Sequence, residues 1–139
     1  MATMIRPELS IKNKYRLDKH RHYELKHFCL QYPEWKRAYA EFSDVSMPLS
    51  TIERVSTSNL PGDPTAKRAM MKTHYAEKMR IIEEAARETD RYLHEYILKA
   101  VTENLSYTHL KSKMDIPCGK DMYYDRYRKF FWLLSELRG

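Results

Sequence analysis

Residues 105–137 have the sequence LSYTHLKSKMDIPCGKDMYYDRYRKFFWLLSEL, which contains the signals of a short helix, a turn and a longer terminal helix. Ser106 is a favoured N-cap residue, and we expect it to open a helix over 107–114. Asp115 tolerates the left-handed backbone conformation that often ends a helix. Pro117 then biases the residue before it away from helical dihedral angles. The stretch therefore predicts a helix that stops at a tight turn.

The terminal helix is predicted to begin after Gly119 and to have one apolar and one polar side. Five apolar side chains recur at steps of four, three, four and three, which is the spacing of a helix side that packs on a core. They are Tyr123, Tyr127, Phe130, Leu134 and Leu137. The side chains left on the outside are Lys120, Asp121, Tyr124, Arg128 and Lys129.

A short helix, a turn and a terminal helix with a basic outer side are the elements of a helix-turn-helix, whose second helix enters the major groove of DNA. Donors to phosphates and base edges would come from Lys120, Arg126, Arg128 and Lys129. Asp121 and Asp125 oppose such contact, because carboxylates repel the phosphate backbone. The alternative interpretation is an ordinary terminal helix with a solvated charged side. The turn chemistry and the charge distribution favour DNA contact.

The rest of the chain also predicts helices, and with only three glycines we expect an all-α protein. An N-terminal helical pair is predicted, with the first helix starting at Asp18 and the second covering 34–42. Residues 43–62 are rich in Ser, Thr and Pro and are interpreted as a linker. We therefore expect residues 1–62 to hold the helical pair and the linker, and residues 63–139 to hold a long helix and the helix-turn-helix.

One long helix is predicted from Pro64 to about Glu103, a length of roughly 60 Å at about 1.5 Å per residue. Its apolar residues follow a heptad pattern, which needs a second helix to cover it. The heptad positions are Tyr75, Met79, Ile82, Ala86, Thr89, Leu93, Tyr96 and Ala100. The partner is either the N-terminal pair or the same helix of a second copy, which would form a homodimer. The pattern has small residues near Asp90, so a bend there is also compatible with it.

The net charge of +6 is concentrated near the two ends of the chain. Residues 1–42 carry nine basic against five acidic side chains, residues 106–139 carry seven against four, and residues 63–105 carry eight of each. We expect a polyanionic partner to meet the two ends. No apolar run is long enough to span a membrane, and the N-terminus lacks the apolar segment of a signal peptide, so we expect a cytoplasmic protein.

Four potential zinc ligands lie within ten residues: His20, His22, His27 and Cys29. Their spacing argues against a metal site, because on a helix His20 and His22 point about 200° apart. We therefore expect neither a metal nor a cofactor. The same segment forms a basic surface with Lys19, Arg21 and Lys26, which either contacts phosphates or is simply solvated.

Two sets of segments carry a resemblance to known families. Residues 104–110, NLSYTHL, and residues 114–116, MDI, resemble the helix-turn-helix of sigma-factor region four. Residues 19–35, KHRHYELKHFCLQYPEW, and residues 116–134, IPCGKDMYYDRYRKFFWLL, resemble the RinA and ArpU type transcriptional regulators of prophages. The likeness covers most of the chain outside the linker.

The resemblance implies a sequence-specific DNA-binding regulator of phage late genes that works with host RNA polymerase in the bacterial cytoplasm. It places Lys120, Asp121, Tyr124 and Arg128 in the DNA groove. It places Ser106, Tyr107 and Lys111 near phosphates. The chain departs from the family pattern at two positions, since Lys111 stands where a small Ala is usual and Asp115 where the turn usually has Gly.

Two other functions stay open. The protein could be a phage factor that binds host RNA polymerase or a host-defence protein, with the basic ends as general solubilising charge. It could also be a small terminase-like DNA-packaging subunit, in which the long helix drives ring assembly. No GxSxG, HExxH or Gly-rich phosphate-loop motif occurs, so we expect no catalytic residues and no enzyme.

Overall fold

The computed structural model describes residues 14–44 and 63–139. These residues form six helices and contain no strand. The helices are α1 (Lys19–Leu30), α2 (Tyr32–Ser43), α3 (Pro64–Thr89), α4 (His94–Glu103), α5 (Tyr107–Met114) and α6 (Lys120–Arg138). The predicted all-α fold, with its N-terminal helical pair and long central helix, is confirmed. The predicted linker over 43–62 lies almost wholly outside the described residues.

The N-terminal helical pair begins at Asp18, whose Oδ2 accepts a hydrogen bond from the N–H of His20 at 3.3 Å. The carboxylate thereby satisfies one of the N–H groups that the start of a helix leaves without a partner. α2 begins at Tyr32, slightly earlier than predicted. Pro33 lies in the first turn of α2, where its missing N–H costs no helical hydrogen bond.

The long central helix α3 ends at Thr89 instead of continuing to Glu103. Asp90 explains the break, because its Oδ1 accepts from the N–H groups of Tyr92 at 2.8 Å and Leu93 at 3.0 Å. An Asp side chain that binds the backbone N–H groups just after it competes with continuation of the helix. The prediction of one helix up to Glu103 is therefore wrong, and the bend near Asp90 is confirmed.

Two compact units are distinguished by their internal contacts. The first unit contains α1 and the chain from Ile81 onward, and the second runs from Tyr32 to Arg80. In the first unit, α1 contacts α4 and α6, and α4 also contacts α6. The terminal helix is thus supported by α4 and by α1, which lies far from it in the sequence.

The predicted apolar stripe of α6 packs into the first unit with three differences, of which the first is that Tyr127 is only half-buried. Tyr123, Phe130 and Leu134 are buried, whereas Leu137 in the last turn is 38% exposed. Phe131, which the stripe did not include, is buried because its ring meets His22 of α1 with centroids 4.8 Å apart. The buried side of α6 is therefore turned toward α1.

In the second unit, α2 packs against the first part of α3. The rings of Phe42 and Tyr75 stack with centroids 5.9 Å apart, and Phe42 and Met71 are buried. The ammonium of Lys72 lies 5.5 Å from the centroid of the Tyr39 ring. Tyr75 is one of the predicted heptad positions, so α2 is its partner. A homodimer through α3 stays a prediction.

Candidate nucleic-acid interface

α5 occupies the predicted residues Tyr107–Met114 and is capped by Ser106. The Oγ of Ser106 accepts from the N–H of His109 at 3.1 Å. Ser106 is exposed, and its hydroxyl hydrogen can still be donated to a partner. The predicted cap is therefore confirmed, and the residue is accessible to a phosphate.

The turn after α5 depends on Asp115, which adopts the left-handed conformation with φ 52° and ψ 49°. The N–H groups of Asp115 and of Ile116 both donate to the carbonyl of Leu110. Leu110 and Ile116 are fully buried, so the turn is anchored by its own apolar side chains. Asp in this conformation replaces the usual Gly because its short polar side chain tolerates left-handed dihedral angles. Asp115 in place of the usual Gly is therefore compatible with this turn.

Two residues that the resemblance places near phosphates form hydrogen bonds with the turn. The hydroxyl of Tyr107 donates to the carbonyl of Cys118 at 2.7 Å. The ammonium of Lys111 donates to the carbonyl of Ile116 at 3.3 Å. Lys111 is exposed, so the larger residue in place of Ala does not enter the contact between helices. Both side chains connect α5 to the segment that leads into α6.

Arg126, which was predicted to donate to DNA, is half-buried and bonds to two carboxylates of the protein itself. Its Nε donates to Oδ2 of Asp90 at 2.9 Å, and its guanidinium also pairs with Asp125. Partial burial alone would raise the pKa of Asp90, but hydrogen bonds from Arg126 and from two backbone N–H groups outweigh it and lower the pKa. The pairing also partly neutralises Asp125, one of the two carboxylates that oppose DNA contact.

Four predicted groove residues lie within about 100° of one another around the axis of α6, at about 100° per residue. We call these four the α6 front: Lys120, Asp121, Tyr124 and Arg128. Lys120 and Asp121 are exposed, and Tyr124 and Arg128 are half-buried. Lys129 follows Lys120 by nine residues and therefore points about 180° away from it. Lys129 does not belong to the same side of the helix.

A cleft of about 170 Å³ lies beside the α6 front, and we call it the tyrosine cleft. Four tyrosines line it: Tyr107, Tyr123, Tyr124 and Tyr127. The ring centroids are 5.5 Å apart for Tyr107 and Tyr123, and 5.2 Å apart for Tyr123 and Tyr124. Those of Tyr124 and Tyr127 are 6.1 Å apart. Since Tyr123 is almost fully buried and Tyr124 and Tyr127 are only half-buried, Tyr123 forms the floor of the cleft.

The tyrosine cleft has polar side chains at its edge, contributed by α1 and by the chain between α4 and α5. They are Lys26, Asn104 and Ser106. Within residues 14–44 and 63–139, no carboxylate forms an ion pair with Lys26. Sequence reasoning missed this cleft, because no periodicity connects Lys26 with Tyr124 and only the tertiary fold brings them together.

The basic surface predicted for α1 is reduced by contacts within the protein. The Nε of Arg21 donates to Oγ of Ser135 at 3.0 Å, and its guanidinium pairs with Glu24 at 2.5 Å. Lys19 is exposed at the first position of the helix. Lys26 is therefore the α1 cation that the fold brings into the tyrosine cleft.

The three histidines and the cysteine of α1 differ in how far their side chains are buried. His22 and Cys29 are buried, whereas His20 and His27 are exposed. Burial raises the pKa of the Cys29 thiol, although the charge of Arg138 acts in the opposite direction. Among the residues that the structure describes, no three His, Cys, Asp or Glu side chains come together as possible metal ligands.

Neither the helices nor the comparisons with known proteins assign the chain to a family. No helix in the described part of the chain combines the length and the apolar character needed to cross a membrane. No protein-family model, curated protein or solved structure matches the chain. The features of the structure that bear on function are therefore α5, the turn and α6.

Proposed function

We propose that this protein binds double-stranded DNA sequence-specifically by placing α6 in the major groove. The observation that carries the proposal is that α6 begins at the surface while the first unit holds the helix by buried side chains. The buried side chains are Tyr123, Phe130, Phe131 and Leu134. Lys120 and Asp121 in the first turn are exposed, and Tyr124 and Arg128 are half-buried. A helix with its side chains is roughly 10–12 Å wide and the major groove roughly 12 Å wide, so a helix supported from behind fits the groove.

The α6 front carries the side-chain types that read base edges. An Arg at the position of Arg128 can bind the O6 and N7 atoms of guanine with two hydrogen bonds. The carboxylate of Asp121 can accept from the amino group of cytosine, which gives an acidic residue a role in a groove. Lys120 and the hydroxyl of Ser106 supply donors for phosphates, which set the register of the protein on the duplex.

From the resemblance to prophage regulators, we further propose that the bound sites control phage late genes and that the protein acts there with host RNA polymerase. Phosphate contacts would supply most of the affinity, and the α6 front would supply discrimination between sequences.

The two alternative functions, a protein-binding factor and a DNA-packaging subunit, differ from this proposal in what they require of the protein. A protein-binding factor needs no duplex, and a packaging subunit needs a ring of copies, which sedimentation mass detects.

The proposal is tested by selecting bound fragments from the genome that encodes the chain and titrating the selected duplex by fluorescence anisotropy. We expect the logarithm of the association constant to fall steeply as salt rises from about 50 to about 200 mM. The double variant Lys120→Glu and Arg128→Glu is expected to weaken binding at least about thirtyfold, since it removes a base contact of Arg128 worth roughly 1–3 kcal/mol and a phosphate contact of Lys120.

The matched control reverses two charges elsewhere, with Lys36→Glu and Arg37→Glu on α2, where both side chains are exposed. A small effect of this control beside a large effect of the α6 variant supports the proposal. The proposal is wrong if the wild-type protein binds no duplex, or if both double variants weaken binding equally.

A further inference from the structure

Lys26 lies on α1, outside α5, the turn and α6, yet it lines the same cleft as Ser106 and Tyr124. We propose that the tyrosine cleft binds a backbone phosphate of duplex DNA, with Lys26 as the cation that pairs with it. This inference rests on the proposed function and extends the DNA interface to α1.

The chemistry of the lining favours an anion. No Asp or Glu is among the residues that line the tyrosine cleft, and no described carboxylate pairs with Lys26. Ser106 retains a hydroxyl hydrogen to donate, and Tyr124 and Tyr127 carry phenol O–H groups of the kind that phosphates accept. A hydrogen bond between an ammonium and a phosphate is roughly twice as strong as one between neutral groups.

The size of the cleft fits a phosphate group and excludes a duplex segment. Its volume of about 170 Å³ corresponds to five or six water molecules, at about 30 Å³ for each molecule in the liquid. A phosphodiester group is of this order of size. The bases of a duplex are paired and stacked inside it, so the backbone is the part that a cleft beside the groove can receive.

The position of the cleft matches the proposed groove contact. Tyr124 belongs to both the α6 front and the cleft, and Ser106 both caps α5 and lines the cleft. A phosphate in the cleft would therefore flank the groove that the α6 front occupies. Because phosphate contacts position the protein without reading sequence, Lys26 would contribute affinity equally to all duplexes.

The test compares the salt dependence of duplex binding for wild type, Lys26→Gln and Lys26→Arg, using a labelled duplex of mixed sequence at low salt. The slope of log association constant against log salt is about −0.9 for each phosphate neutralised, so Lys26→Gln is expected to reduce its magnitude by about 0.9. Affinity at about 0.1 M salt is expected to fall roughly five- to tenfold. Lys26→Arg keeps the positive charge and is expected to restore the slope.

Lys36→Gln on α2 is the matched control, because it removes the same charge from an exposed side chain. An unchanged slope in Lys26→Gln, or an equal change in Lys36→Gln, overturns the phosphate assignment while the proposed function stands. Failure of wild type to bind any duplex overturns the proposed function and this inference with it. Melting temperatures confirm folding, and Lys26→Met, which keeps an apolar stem, replaces Lys26→Gln if that variant is destabilised.

Discussion

Arg126 of α6 binds Asp90 at the junction of α3 and α4, with its Nε 2.9 Å from Oδ2 of the carboxylate. The other oxygen of Asp90 accepts from the N–H groups of Tyr92 and Leu93. The same carboxylate therefore ends α3, opens the turn into α4 and holds α6. The Asp90 side chain is only 11% exposed, so the pair is less screened by solvent than a surface ion pair.

A double-mutant cycle with Asp90→Asn and Arg126→Gln measures this interaction. We expect a coupling free energy of about 1–3 kcal/mol from urea unfolding, because the hydrogen bond is charge-assisted and mostly shielded from water. Asp90→Ala is expected to cost more than Asp90→Asn, since Asn keeps an oxygen for the two backbone N–H groups. The comparison pair is Glu77 and Arg80, which is exposed and for which we expect a smaller coupling free energy because solvent screens it. Equal coupling free energies in the two cycles would show that the partial burial of the Asp90–Arg126 pair does not strengthen it.

The lowered pKa of Asp90 predicts a stability change in acid. Its folded pKa lies below the usual value of 3.8, so the contribution of this carboxylate to stability is complete above about pH 4. The contribution is lost as the pH falls below that value and the folded group takes up a proton. We therefore expect the difference in unfolding free energy between wild type and Asp90→Asn to shrink from pH 7 to pH 2. Urea titrations at several pH values measure it, and a difference that is constant with pH contradicts the assignment.

Local signals in the sequence predicted α5 and its turn well, because the determining residues are neighbours in the chain. Ser106 caps α5, Asp115 adopts the left-handed conformation and Gly119 precedes α6, all as expected. Each of these features depends on the backbone within a few residues of the side chain concerned. The candidate α6 front follows from the same local reasoning, since it requires only helical periodicity.

Features that depend on distant residues could not be predicted in the same way. The break at Asp90 occurs in a stretch without Gly or Pro, and Arg126, which stabilises that Asp, lies in another helix. A continuous heptad pattern across Asp90 therefore suggested a longer helix than the one that forms. Lys26 approaches Tyr124 only after α1 has packed against α6. Hydrophobic periodicity predicts single helices, but it does not predict which residues of different helices come into contact.

Phe131 and Leu137 provide a stability test of which side of α6 is buried. Phe131 is 1% exposed and meets His22, whereas Leu137 is 38% exposed. We expect Phe131→Ala to lower the free energy of unfolding by about 3–5 kcal/mol, the range for a large buried side chain. Leu137→Ala is expected to cost less than about 1 kcal/mol, because much of its surface is already in water. Similar losses in the two variants, measured by urea unfolding, would contradict the orientation of α6.

Substitution of Tyr107 tests whether its hydroxyl has a structural role or a role in DNA binding. The resemblance places it near a phosphate, but its hydroxyl donates to the carbonyl of Cys118 at 2.7 Å. We expect Tyr107→Phe to cost about 0.5–1.5 kcal/mol of stability, the usual net value of one hydrogen bond. Because this hydroxyl is already engaged, we expect the variant to leave the affinity for duplex DNA unchanged.

Tyr124→Phe is the matched variant, since it removes the same hydroxyl from a residue of the α6 front. It is expected to weaken duplex binding a few-fold, because a hydrogen bond to a phosphate contributes about 1 kcal/mol or more. A loss of duplex affinity in Tyr107→Phe as large as that in Tyr124→Phe would contradict this assignment and show that the Tyr107 hydroxyl leaves Cys118 when DNA binds. The turn would then rearrange on binding, and the hydrogen bond between Tyr107 and Cys118 would belong to the free protein alone.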